Sequence, residues 1–397
     1  MRSGLTASLL WLVTAGGLAA QESVYRHHEA RRPDYLADLM PSAAGAIPIP
    51  PPPPGEPPAV VRGIFLNRWV FGGDRLLGLI RLADTTEVNA FVIDVKDATG
   101  ELTYPSGIPT AIEIGANRAV SVRDVRQRLA MLHERGIHTI ARIVVARDPL
   151  LARGKRDWAI HDQSGGLWYD GLGEPWVDAF HDSVWIYAAQ LAEEAVLLGF
   201  EEIQYDYVRF PDEPPARLGR TVYPARRPGD SKREAIQRNV HLLADRVKAL
   251  GVPYTLDVFG LTTSATGDLG IGQVWEDLVS AADVVLPMVY PSHYRRGSYG
   301  IPHPNAAPYV TVRKALEEGI QRSRGIPDPA RIRPYLQSFS IFGVRYTAVE
   351  VRAQIQAVED LGLTDWVLWN ASGRYPAAAL RRAGPPAAAS ADHVQPS

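Results

Sequence analysis

The strongest constraint on this chain is a regular alternation of short β-rich segments with longer helical patterns. Eight β-rich segments recur, at residues 61–67, 90–95, 138–145, 202–207, 253–259, 284–290, 332–339 and 366–370. Amphipathic helical patterns separate most of them, for example at residues 74–87, 121–135, 184–198, 231–250 and 348–361. Strands that alternate with helices pair in parallel through right-handed crossovers. Eight such units predict an α/β fold, a (β/α)8 or TIM barrel with long loops on its C-terminal face.

Signals at the helix ends support this arrangement. Ser231 and Glu234 form the capping-box pattern at one helix start. Glycines suited to left-handed C-caps follow four helix ends, at Gly136, Gly199, Gly251 and Gly362. The alternative architecture, an open doubly wound sheet, usually has a Gly-rich phosphate turn after its first strand. Residues 67–73 lack that pattern, so the barrel is favoured.

The two ends of the chain differ in composition from this central region, which we place at residues 60–383. Residues 1–20 have a basic start, an apolar run and a small-residue end, which predicts a signal peptide and export to the periplasm, cell surface or exterior. The apolar run is too short for a stable membrane span, although an uncleaved anchor is an alternative. Residues 21–59 are polar and then Pro-rich, typical of a spacer rather than a recognition peptide. Residues 384–397 are expected to be disordered.

Charge and composition argue against several classes of function. The chain has 42 basic and 44 acidic side chains, and no basic stripe indicates a nucleic-acid partner. There is no cysteine, so disulfides and lipid-modified cysteines are excluded. The histidines show neither HxxxH nor HExxH spacing, so we expect no metal and no cofactor.

One acid, Asp206, lies near the end of the fourth predicted strand, in the run GFEEIQYDYVRFP. A carboxylate is costly to bury in an apolar strand, and barrel enzymes build their sites at this strand end. Asp257 has a similar position on the fifth strand, and glycoside hydrolysis requires two such carboxylates. The alternative is that one or both acids pair with Arg209, Lys96 or Arg142 in a structural ion network.

The alternation of strand faces predicts further residues at the same mouth. Asp94 is expected to share a face with Lys96, and with Asp97 these form either a substrate-binding cluster or a local ion pair. Glu276 and Asp277, beyond the fifth strand, are rival acids, and we expect Glu276 to be a solvated helix residue. The other residues expected to bind substrate are Arg209, Tyr290, His293, Gln337 and Trp369.

The longest insertion is the loop after the third predicted strand, residues 147–179. Its aromatic and imidazole side chains are Trp158, His161, Trp168, Tyr169 and Trp176. Long loops on compact domains are usually functional, and flat aromatic faces stack on sugar rings. These side chains either line a sugar-binding mouth or form a satellite core over the barrel rim.

Several of these segments resemble the signature of a bacterial glycosyl hydrolase family first catalogued as domain of unknown function 4015. They are IDVKD at 93–97, EIQYDYVRFP at 202–211, DVFG at 257–260, IGQ at 271–273, PMVYPSHY at 287–294 and LWNA at 368–371. The resemblance covers about residues 61–375. It implies a TIM barrel related to α-amylase-like hydrolases, with Asp206 as nucleophile and Asp257 as acid/base. Those relatives have Glu on strand five and Asp on strand seven, where this chain has Asp257 and Gln337, so their mechanism does not carry over unchanged.

These observations predict an exported glycoside hydrolase acting on an extracellular or cell-envelope polysaccharide or oligosaccharide. The alternative is a non-catalytic carbohydrate-binding barrel, which the missing strand-seven acid favours. Such a module would bind glycans without releasing reducing ends. A barrel acting on phosphorylated metabolites ranks last, because no Gly-rich phosphate loop is evident after strands seven and eight.

Overall fold

A closed barrel of eight parallel strands forms the centre of residues 57–382, the part of the chain that the computed structural model describes. The strands are β1 (Arg62–Leu66), β2 (Ala90–Lys96), β3 (His138–Val144), β4 (Glu202–Asp206), β5 (Tyr254–Phe259), β6 (Val284–Met288), β7 (Arg331–Ile332 and Tyr335–Gln337) and β8 (Trp366–Trp369). Each strand pairs with the next, and the pairing of Arg62 with Trp366 closes the barrel. The (β/α)8 prediction is therefore confirmed, and the open sheet is excluded.

Helices follow the strands along the chain, and the longer ones cover the outside of the barrel. They are α1 (Arg68–Gly72), α2 (Arg75–Thr85), α3 (Pro109–Glu113), α4 (Val125–His133), α5 (Pro149–Gly154), α6 (Asp182–Leu198), α7 (Pro215–Leu218), α8 (Lys232–Lys248), α9 (Trp275–Val279), α10 (Pro308–Ser323) and α11 (Ala348–Glu359). The capping box of Ser231 and Glu234 starts α8, as predicted. Gly199 ends α6 with a φ of 117°, which an L side chain adopts only with strain.

The buried apolar side chains form two layers. Phe65, Val92, Ile140 and Leu286 belong to a cluster formed mainly by alternate residues of the barrel strands. A larger cluster includes helix residues such as Trp185 and joins the helices to the other strand face. Strands β2 and β3 are buried along their whole length, as expected for a parallel sheet covered on both faces.

Long loops follow the C-terminal ends of the strands. The loop after β3 contains α5 and a two-residue strand, His161–Asp162. This strand pairs antiparallel with Thr221–Val222 in the loop after β4. The pairing joins the two loops beside the barrel mouth, where they contribute to the site described below.

Prediction and structure differ mainly at the ends of elements. The seventh strand was predicted at residues 332–339, but β7 is interrupted at Pro334 because proline has no backbone N–H for the ladder.

The predicted signal peptide, most of the predicted linker and the predicted tail lie outside the described residues. Between residues 57 and 382, no helix is long and apolar enough to cross a membrane.

Candidate active site

A cavity lies at the C-terminal mouth of the barrel, and together with the open solvent at its entrance it occupies about 1390 Å³. Strand residues form its floor and loop residues form its wall. The floor includes Arg142, Asp206, Asp257, Tyr335 and Trp369. The wall includes Arg147, Asp170, Trp176, Tyr207, Arg209, Asp212, Glu213, Tyr290, His293 and Arg295. The predicted catalytic acids thus share one cavity with four of the predicted substrate-binding residues.

Arg142, on β3, joins three carboxylates in the floor of this cavity. Its Nη1 donates to Asp94 Oδ1 at 2.5 Å, and its Nη2 donates to Asp206 Oδ2. Its Nε lies 3.2 Å from Asp206 Oδ2 and 3.7 Å from Asp257 Oδ2. The pairing with Arg142 that we considered as an alternative is therefore present, but it occurs within the cavity itself.

The contacts of Arg142 limit the spacing of the two predicted catalytic acids. Because both Oδ2 atoms lie close to Arg142 Nε, the distance between them cannot exceed the sum of their distances to that nitrogen. This limit includes the spacing of about 5–5.5 Å in retaining glycosidases. It reaches only the lower end of the spacing of about 6.5–9.5 Å in inverting enzymes.

The backbone after β4 fixes the orientation of Asp206. Tyr207 has a φ of 53°, which is uncommon for a residue with a side chain. In this conformation the Tyr207 backbone N–H donates to Asp206 Oδ1 at 2.6 Å. Asp206 is thus held by backbone on one oxygen and by Arg142 on the other. Strained backbone beside a cavity is a common feature of functional sites.

Asp257 lies deeper than Asp206 and is only 1% exposed. Its Oδ2 accepts a hydrogen bond of 2.9 Å from Gln204, whose amide also donates to the Tyr335 hydroxyl. Burial, and then the charge of Asp206, raise the pKa of Asp257 well above its ordinary value, and Arg142 opposes them. The proton-bearing form of Asp257 is therefore favoured, as a general acid requires.

Three predicted substrate-binding residues do not line the cavity. Asp94 is fully buried behind Arg142, and burial raises its pKa to about 7 although Arg142 opposes the shift. Lys96 pairs with Asp148 at 2.5 Å, because an irregularity in the β2–β3 register breaks the expected alternation after Asp94. Gln337 accepts a hydrogen bond from the backbone N–H of Ser292 and so supports the loop after β6.

Trp369 and Tyr290 present aromatic surface to the cavity, as predicted from their positions at strand ends. The Trp369 ring stacks on Phe65, with a centroid distance of 3.7 Å. The Tyr290 ring lies 5.2 Å from that of His293. Burial lowers the pKa of His293 to about 4, so its imidazole is neutral at physiological pH.

The aromatic side chains of the loop after β3 have both of the roles that we considered, since one lines the cavity and others form a satellite core. Trp176 lines the cavity, and its indole N–H donates to Asp170 at 2.9 Å. Trp168 is buried away from the cavity, where it donates to the Arg217 carbonyl at 3.1 Å. Trp158 packs near His181, also outside the cavity lining. The loop therefore contributes both a satellite core and one aromatic wall.

Sequence reasoning did not assign several lining residues to the site. Arg142 could have been predicted as a site residue, because it is a charged residue within an apolar strand, the same feature that identified Asp206. Arg147, Asp212, Glu213 and Arg295 lie in loops, where no periodicity indicates direction, and Tyr335 was not singled out on its strand. The rival acids do not line the cavity, and each is held in an ion pair, Glu276 with Arg322 and Asp277 with Arg233.

The geometry of the described region offers no ready-made metal site. Between residues 57 and 382, no group of three or more histidine or acidic side chains is arranged to hold an ion. The polar lining instead combines arginines, carboxylates and aromatic hydroxyls. This set suits hydrogen bonding to a polar organic ligand.

Comparison with known proteins gives similarities in sequence and in structure. No curated protein matches it. A hypothetical protein from Ruminiclostridium thermocellum ATCC 27405 is 36% identical, with 49% of this chain and 97% of that chain covered and a TM-score of 0.43. The PgaB (BpsB) glycoside hydrolase domain from Bordetella bronchiseptica is 15% identical, with 81% of this chain and 99% of that chain covered and a TM-score of 0.55. At that identity the second similarity supports the fold alone.

A family model also matches most of this chain. The model described as "Putative glycosyl hydrolase domain" matches residues 63–375. This range contains all eight barrel strands except the first residue of β1, together with every residue of the candidate site. The chain therefore belongs to this glycosyl hydrolase domain family.

Proposed function

We propose that the protein is an exported glycoside hydrolase that cleaves a polysaccharide by a two-carboxylate mechanism. The observation that carries the proposal is the convergence of Asp206 and Asp257 on Arg142 at the C-terminal mouth of the barrel. Barrel enzymes place their chemistry at this face. Export rests on the composition of residues 1–20, and it places the substrate outside the cell or in the cell envelope.

Asp206 serves as the nucleophile, or as the carboxylate that stabilises the positive charge developing on the sugar. Its position suits this role, because it is the more accessible acid and its oxygens are fixed by Arg142 and the Tyr207 backbone. Asp257 serves as the general acid that protonates the leaving oxygen, which is consistent with its raised pKa. Proton loss from Asp257 then allows it to act as the base toward water.

Unpaired polar atoms in the cavity support a hydroxyl-rich ligand. Asp257 Oδ1 and the Trp369 indole N–H are buried without a hydrogen-bond partner among residues 57–382. Buried polar groups are normally hydrogen-bonded, so these two atoms call for a polar ligand or water. A sugar offers both hydroxyl groups for them and an apolar C–H face for the Trp369 ring.

A polysaccharide screen tests this function. The purified protein is incubated with a panel of polysaccharides, and released reducing ends are measured for the wild type and for Asp206→Asn. We expect release from at least one polysaccharide and none with the variant. A non-catalytic binding barrel would instead retain glycan binding in both proteins and release no reducing ends from any member of the panel.

A further inference from the structure

Arg209 is a buried cation in the cavity wall that the proposed chemistry does not use. It is 4% exposed and lies over the rings of Tyr207, Phe259 and Trp176, with centroid distances of 4.6, 4.5 and 5.2 Å. Its one hydrogen bond within residues 57–382 runs from Nη1 to the carbonyl of Phe210, at 3.0 Å. The guanidinium therefore keeps several N–H donors for a ligand.

Arg295 adds a second unsatisfied guanidinium to the same cavity. It follows the short helical turn Pro291–His293 after β6 and lines the cavity wall. The residue as a whole is half-buried, but its Nε and Nη2 atoms are buried without a hydrogen-bond partner in the described part of the chain. Two arginines from different loops thus line one cavity, each with guanidinium N–H groups that no described residue accepts.

The nearby carboxylates do not neutralise these two arginines by direct contact. Arg142 is occupied by the acids of the floor, and Arg147 lies 3.7 Å from Asp170. Among the described ion pairs, none joins Arg209 or Arg295 to a carboxylate. Asp212 lines the same cavity and attracts both arginines, but only from beyond ion-pair distance, and its own Oδ2 is unpaired.

Buried, unpaired guanidinium groups are costly, and an anion that pairs with them offsets that cost. The fork of N–H donors on arginine matches the oxygens of a carboxylate or sulfate group. We propose that Arg209 and Arg295 bind an oxyanion substituent of the glycan, so that the substrate is an acidic polysaccharide bearing uronate carboxylates or sulfate esters. This inference rests on the proposed function, since it names the substrate class of the same site.

Binding measurements on the full chain carrying Asp206→Asn test the inference without turnover. The probes are matched pairs: oligogalacturonate and its methyl ester, oligoglucuronate and its methyl ester, and a sulfated galactan oligosaccharide and its desulfated form. We expect an acidic member to bind at least about tenfold more tightly than its neutral partner. The pair that shows the preference distinguishes carboxylate from sulfate.

Two arginine variants connect that preference to the cavity. Arg295→Ala is expected to reduce the preference about tenfold, and Arg209→Lys, which keeps the charge but loses the fork, is expected to weaken it. Arg296→Ala is the matched control, because Arg296 is the exposed neighbour outside the cavity lining. The lysine variant and the separate Arg295 variant keep the test valid even if truncation of Arg209 impairs folding.

The outcomes separate this inference from the proposed function. If the wild type hydrolyses a neutral glycan, and neither arginine variant alters binding, the inference is wrong and the hydrolase proposal stands. If acidic glycans bind through both arginines but no reducing ends appear, the inference stands and the hydrolase proposal fails. Equal affinity within every pair, or no binding of any acidic member, also overturns the inference.

Discussion

At the scale of single residues, the site is organised by one guanidinium among three acids. Arg142 contacts Asp94, Asp206 and Asp257, and all four side chains are nearly or fully buried. One positive charge cannot compensate three buried negative charges, so part of this group must hold protons. The raised pKa values of Asp94 and Asp257 agree with this requirement.

The protonation of Asp257 leads to a prediction for the pH dependence of activity. Because burial and the charge of Asp206 raise the pKa of Asp257, it holds its proton to a higher pH than an ordinary aspartate, and kcat/KM should fall on the alkaline side as that proton is lost. Asp257→Asn should reduce kcat by about 10²–10⁴-fold and remove this alkaline decline. A pH–rate profile of both proteins measures this. An unchanged rate and profile in the variant would assign the acid to another residue.

Arg142 should contribute to stability as well as to the site. Arg142→Leu leaves buried acids without their cation, and breaking such a cluster by removing one partner costs about 3–5 kcal/mol. Urea unfolding of the variant should show this loss in the free energy of unfolding. The exposed Arg296→Ala control should stay within about 0.5 kcal/mol of the wild type. A similarly small change in Arg142→Leu would mean that the acids are compensated without it.

At the scale of elements, the sequence predicts the strands better than the directions of their side chains. The eight strands were located because β-rich runs recur along the chain and helical patterns separate most of them. Lys96 was predicted to point to the same strand face as Asp94. One irregularity in the β2–β3 register changes the alternation between these two residues, and the register is set by the neighbouring strand. The lining residues of the loops could not be placed, because loop conformation depends on tertiary contacts such as the pairing of His161–Asp162 with Thr221–Val222.

The end of α6 provides a test at this scale. Gly199 has a φ of 117°, and a Cβ added there would meet its nearest atom, Leu129 Cδ1, at an ordinary 3.7 Å. Gly199→Ala should therefore lower the free energy of unfolding by about 1–2 kcal/mol through backbone strain alone. Gly325→Ala is the matched control, since no positive φ and no neighbouring atom restrict that position. Thermal or urea unfolding compares the two, and equal stabilities would contradict the strain argument.

At the scale of the whole molecule, the two ends of the barrel have different roles. The C-terminal mouth contains the candidate site, whereas the N-terminal ends of the strands contain a separate ion network. In that network, His138 lies 3.1 Å from Glu202, and Arg333 lies 2.5 Å from the same carboxylate. Charged residues at this face of a barrel generally serve stability.

This network predicts a pH dependence of stability that is independent of catalysis. Burial alone would lower the pKa of His138, but hydrogen bonds to Glu201 and Glu202 outweigh it and raise the pKa to about 9 from 6.5. The stabilisation is therefore fully present below the unfolded value of 6.5 and is lost as pH rises through about 9. The free energy of unfolding should fall by up to about 3 kcal/mol over this interval.

His138→Gln separates this effect from other titrations. The variant should lose the wild-type decline in unfolding free energy at alkaline pH, as measured by urea unfolding at several pH values. Its kcat should stay close to that of the wild type, since His138 does not line the cavity. Parallel pH curves for the two proteins would show that His138 is not the group responsible.

The most direct test of the hydrolase proposal is the kcat of Asp206→Asn on a polysaccharide that the wild type cleaves. Asp277→Asn is the matched control, because Asp277 pairs with Arg233 outside the cavity lining. We predict a loss of at least about 10³-fold for Asp206→Asn, with native unfolding behaviour, and near wild-type activity for the control. Full activity in folded Asp206→Asn would contradict the assignment of the catalytic site to the mouth of this barrel.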